Sequence, residues 1–433
     1  MKYRIAAVVG ALILVVAYGV TRLVPPPSVP NVVLIIADDF GIDASPCYAV
    51  GAEKPTMPNL ERLCAEGIVF DNVWVNPLCT PTRATLVSAQ YGFRTGVRQN
   101  RQPLADTTRT LFDVLREEVP RPYGNAVIGK WHVSGHEPDP AAPAAYGVEH
   151  FAGLTTGALS SYASWDITEN GTTRHTSAYA TTLLTDKAIE WADAQQEPWL
   201  LWLAYNAPHR PYHVPPANLL SSVPADADRD ARAKFFAMAE ALDHEIGRFL
   251  DSLDAATRAN TTIIFIGDNG TDPGVIQPPF GADRGKTSLY EGGVRVPLVV
   301  AGHGVTRAGD REDALVNGVD VSATIAELAG SGDSELGDGV SFLDALSDAS
   351  FDGRDFIYTD GPNRTLSGYN PGWAIRDARY KLIQYDSGER RLYDMSVDPW
   401  EQDDLLTSSS DPEVDDIVES LTRLREELVR TSP

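Results

Sequence analysis

Two pairs of oxygen-bearing side chains follow apolar stretches of the sequence. Asp38 and Asp39 come directly after the run Asn31–Ala37, and Asp268 and Asn269 follow a second run of the same kind. Continuous apolar runs are typical of buried parallel strands, and open α/β sheets bind ligands at the carboxyl ends of such strands. Three carboxylates brought together there would repel one another unless a cation lay among them. Oxygen ligands predict Ca²⁺, with Mg²⁺ as the alternative, rather than zinc.

Four basic side chains could act on an anionic substrate. Lys130 and His132 follow a short apolar run at Ala126, and His209 and Lys286 lie in later loops. In an extended backbone the i, i+2 spacing places Lys130 and His132 on one side. Each residue alone is typical of a loop or surface. Together they supply what a tetrahedral oxyanion requires, fixed positive charge and a group that protonates a leaving oxygen.

A cysteine without metal-site spacing stands in the stretch NPLCTPTRATLVSA, residues 76–89. The chain has three cysteines, and if Cys47 and Cys64 form a disulfide, Cys79 remains unpaired. Whether that pair forms depends on the distance between their Cα atoms, which the sequence does not give. Cys79 therefore needs an explanation of its own.

With these blocks in order, the chain resembles the formylglycine-dependent sulfatases of the alkaline-phosphatase-like superfamily. Cys79–Arg83 fits the pattern C-x-P-x-R, and the flanks Pro77-Leu78 and Tyr91–Gly96 are similar to the arylsulfatase B type. One block could arise by chance, whereas the ordered set is specific. The other blocks of the resemblance are Asp38-Asp39, Gly129–His132, Pro208-His209, Asp268–Gly270, Gly285-Lys286 and Glu291–Gly293.

The resemblance implies a reaction and a role for each of these residues. A formylglycine-generating enzyme would oxidise Cys79 to Cα-formylglycine, whose hydrated aldehyde attacks sulfur and later expels sulfate. Arg83 would stabilise the hydrate, and His132 would assist sulfate elimination. His209 would protonate the leaving alcohol, while Lys130 and Lys286 neutralise the sulfate oxygens. The implied Ca²⁺ ligands are Asp38, Asp39, Asp268, Asn269 and the modified Cys79.

Two positions depart from the family pattern. Thr82 stands where the family usually has Ser or Ala, and Ala89 where it has Gly. The family also places a hydroxyl group near the sulfate. Thr155, Thr156 and Ser160 are all candidates, and the sequence does not choose among them.

The segments that position these residues predict an α/β fold. Apolar runs predict strands, and helical spacing in Arg232–Leu253 and Val319–Ala329 predicts helices that cover them. We expect a large, mostly parallel sheet sandwiched by helices, with residues 31–345 forming the catalytic domain. The predicted strands are Asn31–Ala37, Ala126–Ile128, Trp199–Ala204, Thr262–Ile266 and Pro297–Ala301.

Residues 346–433 predict a smaller C-terminal α+β subdomain. The segments Trp373–Tyr385 and Arg391–Asp394 are typical of short antiparallel strands, and Pro412–Arg430 is typical of a charged helix.

The N-terminus predicts export. Lys2 and Arg4 precede an uncharged run, residues 5–21, and a proline-rich spacer occupies residues 25–30. Residues 1–24 are therefore either a signal peptide, cleaved after about Gly19, or a single membrane anchor formed by residues 5–21. Both place the body in the periplasm or outside the cell, because the basic flank stays inside.

The net charge of the chain limits the classes of molecule that it can bind. A formal net charge of -24 argues against nucleic acid, but a local basic cluster can still bind a small anion. We predict hydrolysis of a sulfate ester, either an aryl sulfate or a sulfated sugar. Two alternatives stay open: a phosphonate or phosphate ester hydrolase on the same scaffold, and a non-catalytic exported binding protein.

Overall fold

The computed structural model describes residues 29–196, 198–222, 230–332, 335–363, 370–408 and 412–431. The strands are β1 Asn31–Ala37, β2 Gly67–Trp74, β3 Gly124–Lys130, β4 His150–Leu154, β5 Trp165–Glu169, β6 Thr172–Thr176, β7 Trp199–Ala204, β8 Thr261–Gly267, β9 Leu298–Gly302, β10 Arg311–Asn317, β11 Glu335–Leu336, β12 Gly339–Val340, β13 Phe356–Asp360, β14 Gly372–Asp377, β15 Tyr380–Tyr385 and β16 Arg390–Asp394.

The helices lie between and after these strands. They are α1 Pro58–Glu66, α2 Cys79–Ser88, α3 Gly92–Thr95, α4 Leu111–Glu117, α5 Ala142–Ala145, α6 Ala180–Asp193, α7 Ala231–Ser252, α8 Ala255–Ala259, α9 Glu291–Val294, α10 Gly318–Leu328, α11 Leu405–Ser408 and α12 Glu413–Arg430. Short 3-10 helices occupy Ala217–Leu219, Ala282–Arg284 and Leu343–Leu346.

Ten strands form one sheet in the order β10-β2-β9-β8-β1-β7-β3-β4-β5-β6. Its centre, from β8 through β1, β7 and β3 to β4, is parallel throughout. Strand β9 and the β5–β6 hairpin run antiparallel to their neighbours. The α/β prediction is confirmed, but the sheet is more mixed than expected, because the predicted strand at β9 runs antiparallel and the β5–β6 hairpin adds two further antiparallel pairings. Strands β2, β4, β5, β6 and β10 were not predicted.

Helices cover both faces of this sheet. Leu34 of β1 packs in one apolar cluster with residues of α2, α4 and α10. Its neighbour Ile35 packs in the opposite cluster with residues of α1, α6 and α7. Successive strand residues point to opposite faces, so burial of both faces explains why β1 is apolar at every position.

The C-terminal part forms a four-stranded antiparallel sheet, β13-β14-β15-β16. On one face Val418 and Leu421 of α12 pack against it. On the other face Ile383 of β15 shares a cluster with Trp74 and Leu289 of the main body. The predicted antiparallel strands and final helix are present, and the boundary at residue 345 stays a prediction.

The cysteines and the N-terminal segment are the features relevant to the predicted export of the chain. Cys47 and Cys64 form a disulfide with their Cα atoms 6.4 Å apart, and Cys79 is a buried free thiol. The predicted signal peptide or anchor falls in residues 1–28, outside the described residues. Within the described ranges, no helix is both long and apolar enough to cross a membrane.

Candidate active site

The two pairs of oxygen-bearing side chains, Asp38-Asp39 and Asp268-Asn269, meet because β1 and β8 are parallel neighbours. Ala37 pairs with Gly267, so the residues that follow emerge side by side at the carboxyl edge of the sheet. The backbone N–H of Asp39 donates to Asp268 Oδ1 at 3.0 Å, and Asn269 Nδ2 donates to Asp39 Oδ1 at 2.8 Å. All of these side chains are fully buried.

Cys79 lies directly above this cluster, at the first residue of α2. Its Sγ is 3.5 Å from Asp38 Oδ1, and Lys286 Nζ donates to it at 3.3 Å. Burial and the charge of Asp268 raise the pKa of the Cys79 thiol well above its usual range. The thiol is therefore protonated near neutral pH, which makes it a weak nucleophile without further chemistry.

Arg83 projects from the same helix, one turn after Cys79. Its Nε and Nη2 donate to Asp268 Oδ2 at 3.1 and 2.9 Å, and its Nη1 donates to the backbone oxygen of Lys130 at 2.6 Å. The guanidinium is completely buried. Arg83 thus ties α2 to the ends of both β8 and β3.

Two lysines approach the acidic pair from opposite sides. Lys130, the last residue of β3, donates to Asp38 Oδ2 at 2.6 Å. Lys286 donates to Asp39 Oδ1 at 2.5 Å. Burial acts to raise the pKa of Asp38, but Lys130 and nearby cations outweigh it, so its pKa falls below its usual value. Asp38 is therefore ionised at neutral pH.

His132 lies beside Cys79 and is held by a residue that the sequence analysis overlooked. The hydroxyl oxygen of Thr80 is 3.0 Å from His132 Nε2. Burial, with Lys130 and Arg83 close by, lowers the pKa of His132 well below its usual value, so the ring is neutral. Gly157 lets a loop cover this ring, since a Cβ there would lie 2.3 Å from Nε2. Only the position of Thr80 inside the C-x-P-x-R motif hinted at its part.

His209 reaches the same cluster from the loop after β7. Its Nε2 lies 3.7 Å from Asp39 Oδ2, while Nδ1 is 2.7 Å from the backbone oxygen of Arg210. The side chain is 14% exposed, so it faces the opening rather than the core. Tyr162 is almost completely buried, and its hydroxyl donates to the backbone oxygen of His209 at 2.8 Å. Tyr162 therefore anchors this loop.

The residues present fit a hard divalent cation. Asp39 Oδ2 and Asn269 Oδ1 are buried oxygens without a hydrogen-bond partner among the described residues. One potential ligand atom from each of Asp38, Asp39, Cys79 and His209 lies within 4.8 Å of the others. Burial, together with Asp38, raises the pKa of Asp268 despite its pairing with Arg83. A cation among these oxygens would remove that repulsion.

The charges of the site balance one another in pairs. Each buried cation faces one buried carboxylate: Arg83 with Asp268, Lys130 with Asp38, and Lys286 with Asp39. The six groups are formally neutral, so they alone offer no net attraction to an anion. A divalent cation would make the site positive.

A pocket of about 440 Å³ opens above Cys79. It is lined by Lys130, His132 and His209, and by Thr156 among the three hydroxyl candidates. Thr155 and Ser160 line an adjoining cavity instead. All the predicted site residues therefore come together around one buried centre, and Thr156 is the one of the three candidate hydroxyl residues that lines the pocket above Cys79.

The family models match most of the chain. A model described as Sulfatase matches residues 30–331, and one described as N-sulphoglucosamine sulphohydrolase, C-terminal, matches residues 284–430. The chain is 28% identical over 429 residues to arylsulfatase G of Mus musculus, covering 86% of this chain and 78% of that protein. It is 27% identical over 391 residues to N-acetylgalactosamine-6-sulfatase of Sus scrofa, covering 80% and 69%.

Solved structures share the fold. The crystal structure of Ps i-CgsB in complex with k-i-k-neocarrahexaose superposes with a TM-score of 0.77 at 25% identity, covering 93% of each chain. A structure solved in complex with its substrate D-glucosamine-2-N,6-O-disulfate gives a TM-score of 0.74 at 22% identity, covering 92% of this chain and 97% of that one. The second likeness supports the fold alone.

Proposed function

Because the chain belongs to the sulfatase family, whose enzymes act on sulfate esters, we propose that it hydrolyses sulfated sugars at Cys79 after conversion of that residue to Cα-formylglycine. The observation that carries this proposal is the position of Cys79. Its sulfur lies at the floor of the pocket, 3.3 Å from Lys286 Nζ and 3.5 Å from Asp38 Oδ1. A nucleophile at this position lies between the acidic cluster and the cations. It can therefore attack an anionic substrate that those cations hold.

The modification explains why a cysteine stands at this position. As a thiol it is buried and protonated, whereas a formylglycine hydrate supplies an oxygen nucleophile that attacks sulfur and displaces the alcohol. Its second hydroxyl then loses its proton as the aldehyde re-forms, and the C–O bond to the sulfated oxygen breaks to expel sulfate. Arg83 fixes the helix that carries the residue. Maturation then requires a formylglycine-generating enzyme as a partner.

The remaining residues bind the sulfate group or transfer protons. Lys130 and Lys286 stabilise the negative charge of the sulfate oxygens as the S–O bond breaks. His209 stands at the opening, where it donates a proton to the departing alcohol oxygen. His132 is neutral and hydrogen-bonded to Thr80, so it accepts the proton released when sulfate is expelled.

A divalent cation completes this site. Asp38, Asp39, Asp268, Asn269 and the modified residue 79 would hold it, and we propose Ca²⁺, with Mg²⁺ as the alternative. When bound, it supplies charge that polarises the substrate and the nucleophile. The unpaired oxygens of Asp39 and Asn269 support this assignment.

The sugar substrate and the export of the chain rest on separate observations. Among its relatives, one is named for N-acetylgalactosamine 6-sulfate hydrolysis, and a structural neighbour holds a neocarrahexaose. The disulfide between Cys47 and Cys64 favours an oxidising compartment outside the cytosol. The N-terminal run then serves as signal peptide or anchor.

Two measurements test the proposal. The chain is co-expressed with a formylglycine-generating enzyme. The mass of the proteolytic peptide that contains Cys79 is then measured by mass spectrometry. We expect an aldehyde in place of the thiol. Turnover of 4-nitrophenyl sulfate is then compared with that of a 4-nitrophenyl phosphonate ester. Faster turnover of the phosphonate would replace sulfate hydrolysis with the rival activity, and turnover of neither would leave a binding protein.

A further inference from the structure

The pocket above Cys79 continues into a second cavity. The first has a volume of about 440 Å³ and the second about 420 Å³. Pro138, Thr156 and Ala158 line both, so the two cavities lie side by side along a shared wall, and together we call them the groove. The reaction proposed above uses only the first of these cavities, the one above Cys79.

The second cavity is bounded by the β5–β6 hairpin. Strand β5 is antiparallel to β4, and Gly153 pairs with Thr168, so the first residues of β5 lie beyond the carboxyl end of β4. That end is the edge on which the active site stands. Asp166 and His175 pair across the hairpin and both line the cavity.

Three polar side chains at this hairpin are hydrogen-bonded to one another. Ser164 Oγ is 3.3 Å from His175 Nε2, and His175 Nδ1 is 2.9 Å from Asp166 Oδ1. A serine, histidine and aspartate in this order can serve nucleophilic catalysis where water is excluded. Here the side chains of His175 and Asp166 are each 65% exposed, so water screens them. Their chemistry is that of hydrogen bonding to a polar ligand.

We propose that this cavity is a second sugar-binding subsite, which takes the uncharged unit next to the sulfated one. The inference rests on the proposed function and names its substrate class as a sulfated di- or oligosaccharide. Ser164, Asp166, Thr173 and His175 offer both donors and acceptors to sugar hydroxyls. The carboxylate of Asp166 would repel a sulfate or carboxylate group on that neighbouring unit, so an uncharged sugar is preferred there.

The test compares substrates that differ only in the neighbouring unit. Galactose, N-acetylgalactosamine and N-acetylglucosamine, each 6-sulfated, are offered as monosaccharides and as disaccharides with an added neutral hexose. For the sugar that is turned over, we expect kcat/KM for the disaccharide to exceed that for the monosaccharide at least tenfold. In Asp166→Ala and His175→Ala variants the ratio should fall to within about threefold.

A matched control lies on the same hairpin. Arg174 is exposed and adjacent to His175, so its side chain points to the other face of the strand. Arg174→Ala should keep the wild-type ratio. Asp166→Asn should raise the turnover of a disaccharide with a sulfated neighbouring unit relative to the neutral one.

The outcomes separate the subsite from the sulfatase activity. Equal kcat/KM for the two sugar lengths in the wild type would overturn the subsite, as would a preference that survives in both alanine variants. Turnover of 4-nitrophenyl sulfate without turnover of any sugar in the panel would also overturn it. Absence of turnover of both 4-nitrophenyl sulfate and every sulfated sugar in the panel would instead contradict the proposed function.

Discussion

Among the residues that the structure describes, two of the buried ionic clusters differ in what surrounds them. The first, which we propose to be catalytic and call the catalytic cluster, is built around Asp38 and Asp39 and stands at the floor of an open pocket. The second cluster lies between the main body and the C-terminal sheet. In it Lys381 Nζ is 3.0 Å from Glu291 Oε1 and 2.7 Å from Glu401 Oε1.

The second cluster is closed on every side that the structure describes. Glu291, Lys381 and Glu401 are completely buried, and the Lys381 ammonium lies 4.4 Å from the centre of the Trp74 ring. The indole N–H of Trp74 donates to Glu291 Oε1 at 3.0 Å. Burial of charge therefore does not by itself make a catalytic site, which also needs an opening and a nucleophile.

The two clusters are nevertheless linked along the chain. Lys286 contributes to the first and Glu291 to the second, only five residues later. The backbone N–H of Glu291 donates to Glu401 Oε2 at 2.7 Å. The C-terminal sheet therefore holds the loop that delivers a lysine to the active site. Variants in the two clusters should separate activity from stability.

The largest expected effect is on activity, from Cys79→Ser in the catalytic cluster. A serine cannot become formylglycine in a host whose modifying enzyme acts on cysteine, so steady-state sulfate ester turnover should fall at least about a thousandfold. The thermal midpoint should stay close to that of the wild type. Thr82→Ser is the control, because it keeps the hydroxyl that donates to Asn76, and it should retain turnover. Normal activity in Cys79→Ser would refute the assigned nucleophile.

Lys381→Met should act on stability in the second cluster. It leaves Glu291 and Glu401 buried without their ammonium partner, which costs about 3–5 kcal/mol of unfolding free energy. Urea unfolding followed by tryptophan fluorescence measures this change. As a control, Lys187→Met, at a partly exposed pair, should cost less than about 1 kcal/mol. Similar losses in the Lys381 and Lys187 variants would remove the distinction.

Lys286→Ala should show the opposite pattern. The variant loses a cation beside the reacting group, so kcat/KM for a sulfate ester should fall about a hundredfold, equivalent to about 2.7 kcal/mol. Removal of Lys286 also unpairs Asp39, but the cation that we propose would compensate that carboxylate. We expect a thermal midpoint within a few degrees of the wild type. An unchanged kcat/KM would exclude Lys286 from transition-state binding.

The smallest expected effect is the pH dependence of the second cluster. Burial, with Glu291 adding to it, raises the pKa of Glu401 to about 7 from its ordinary 4.5. Folding therefore favours the protonated acid, and this contribution is present below about pH 4.5 and is lost as the pH rises towards 7. Between pH 5 and pH 8 the loss amounts to about 2 kcal/mol.

Glu401→Gln tests that dependence, because glutamine resembles the protonated acid. The variant should gain stability relative to the wild type as the pH rises from 5 to 8, measured by urea unfolding at both values. A difference between variant and wild type that does not change with pH would contradict the raised pKa of Glu401.

Much of the site was predictable because its signals are local. The apolar runs of β1 and β8 and the acidic pairs that end them are readable in sequence, and the family and enzyme class that the motifs indicated are confirmed. The strands without a continuous apolar run were missed. The hairpin β5–β6 is one example, since its second strand is largely exposed and carries no apolar pattern.

The sequence by itself indicated the residues to which we assign the chemistry. Asp38, Cys79 and Lys130 stand in short motifs at a strand end or a helix start, and Lys286 stands in a loop motif. The tertiary structure alone decided what those residues meet. The register of β1 beside β8 brings Asp39 to Asp268 across 229 positions, and the groove exists only where the hairpin extends past β4. Such contacts depend on packing between distant segments, which no local pattern encodes.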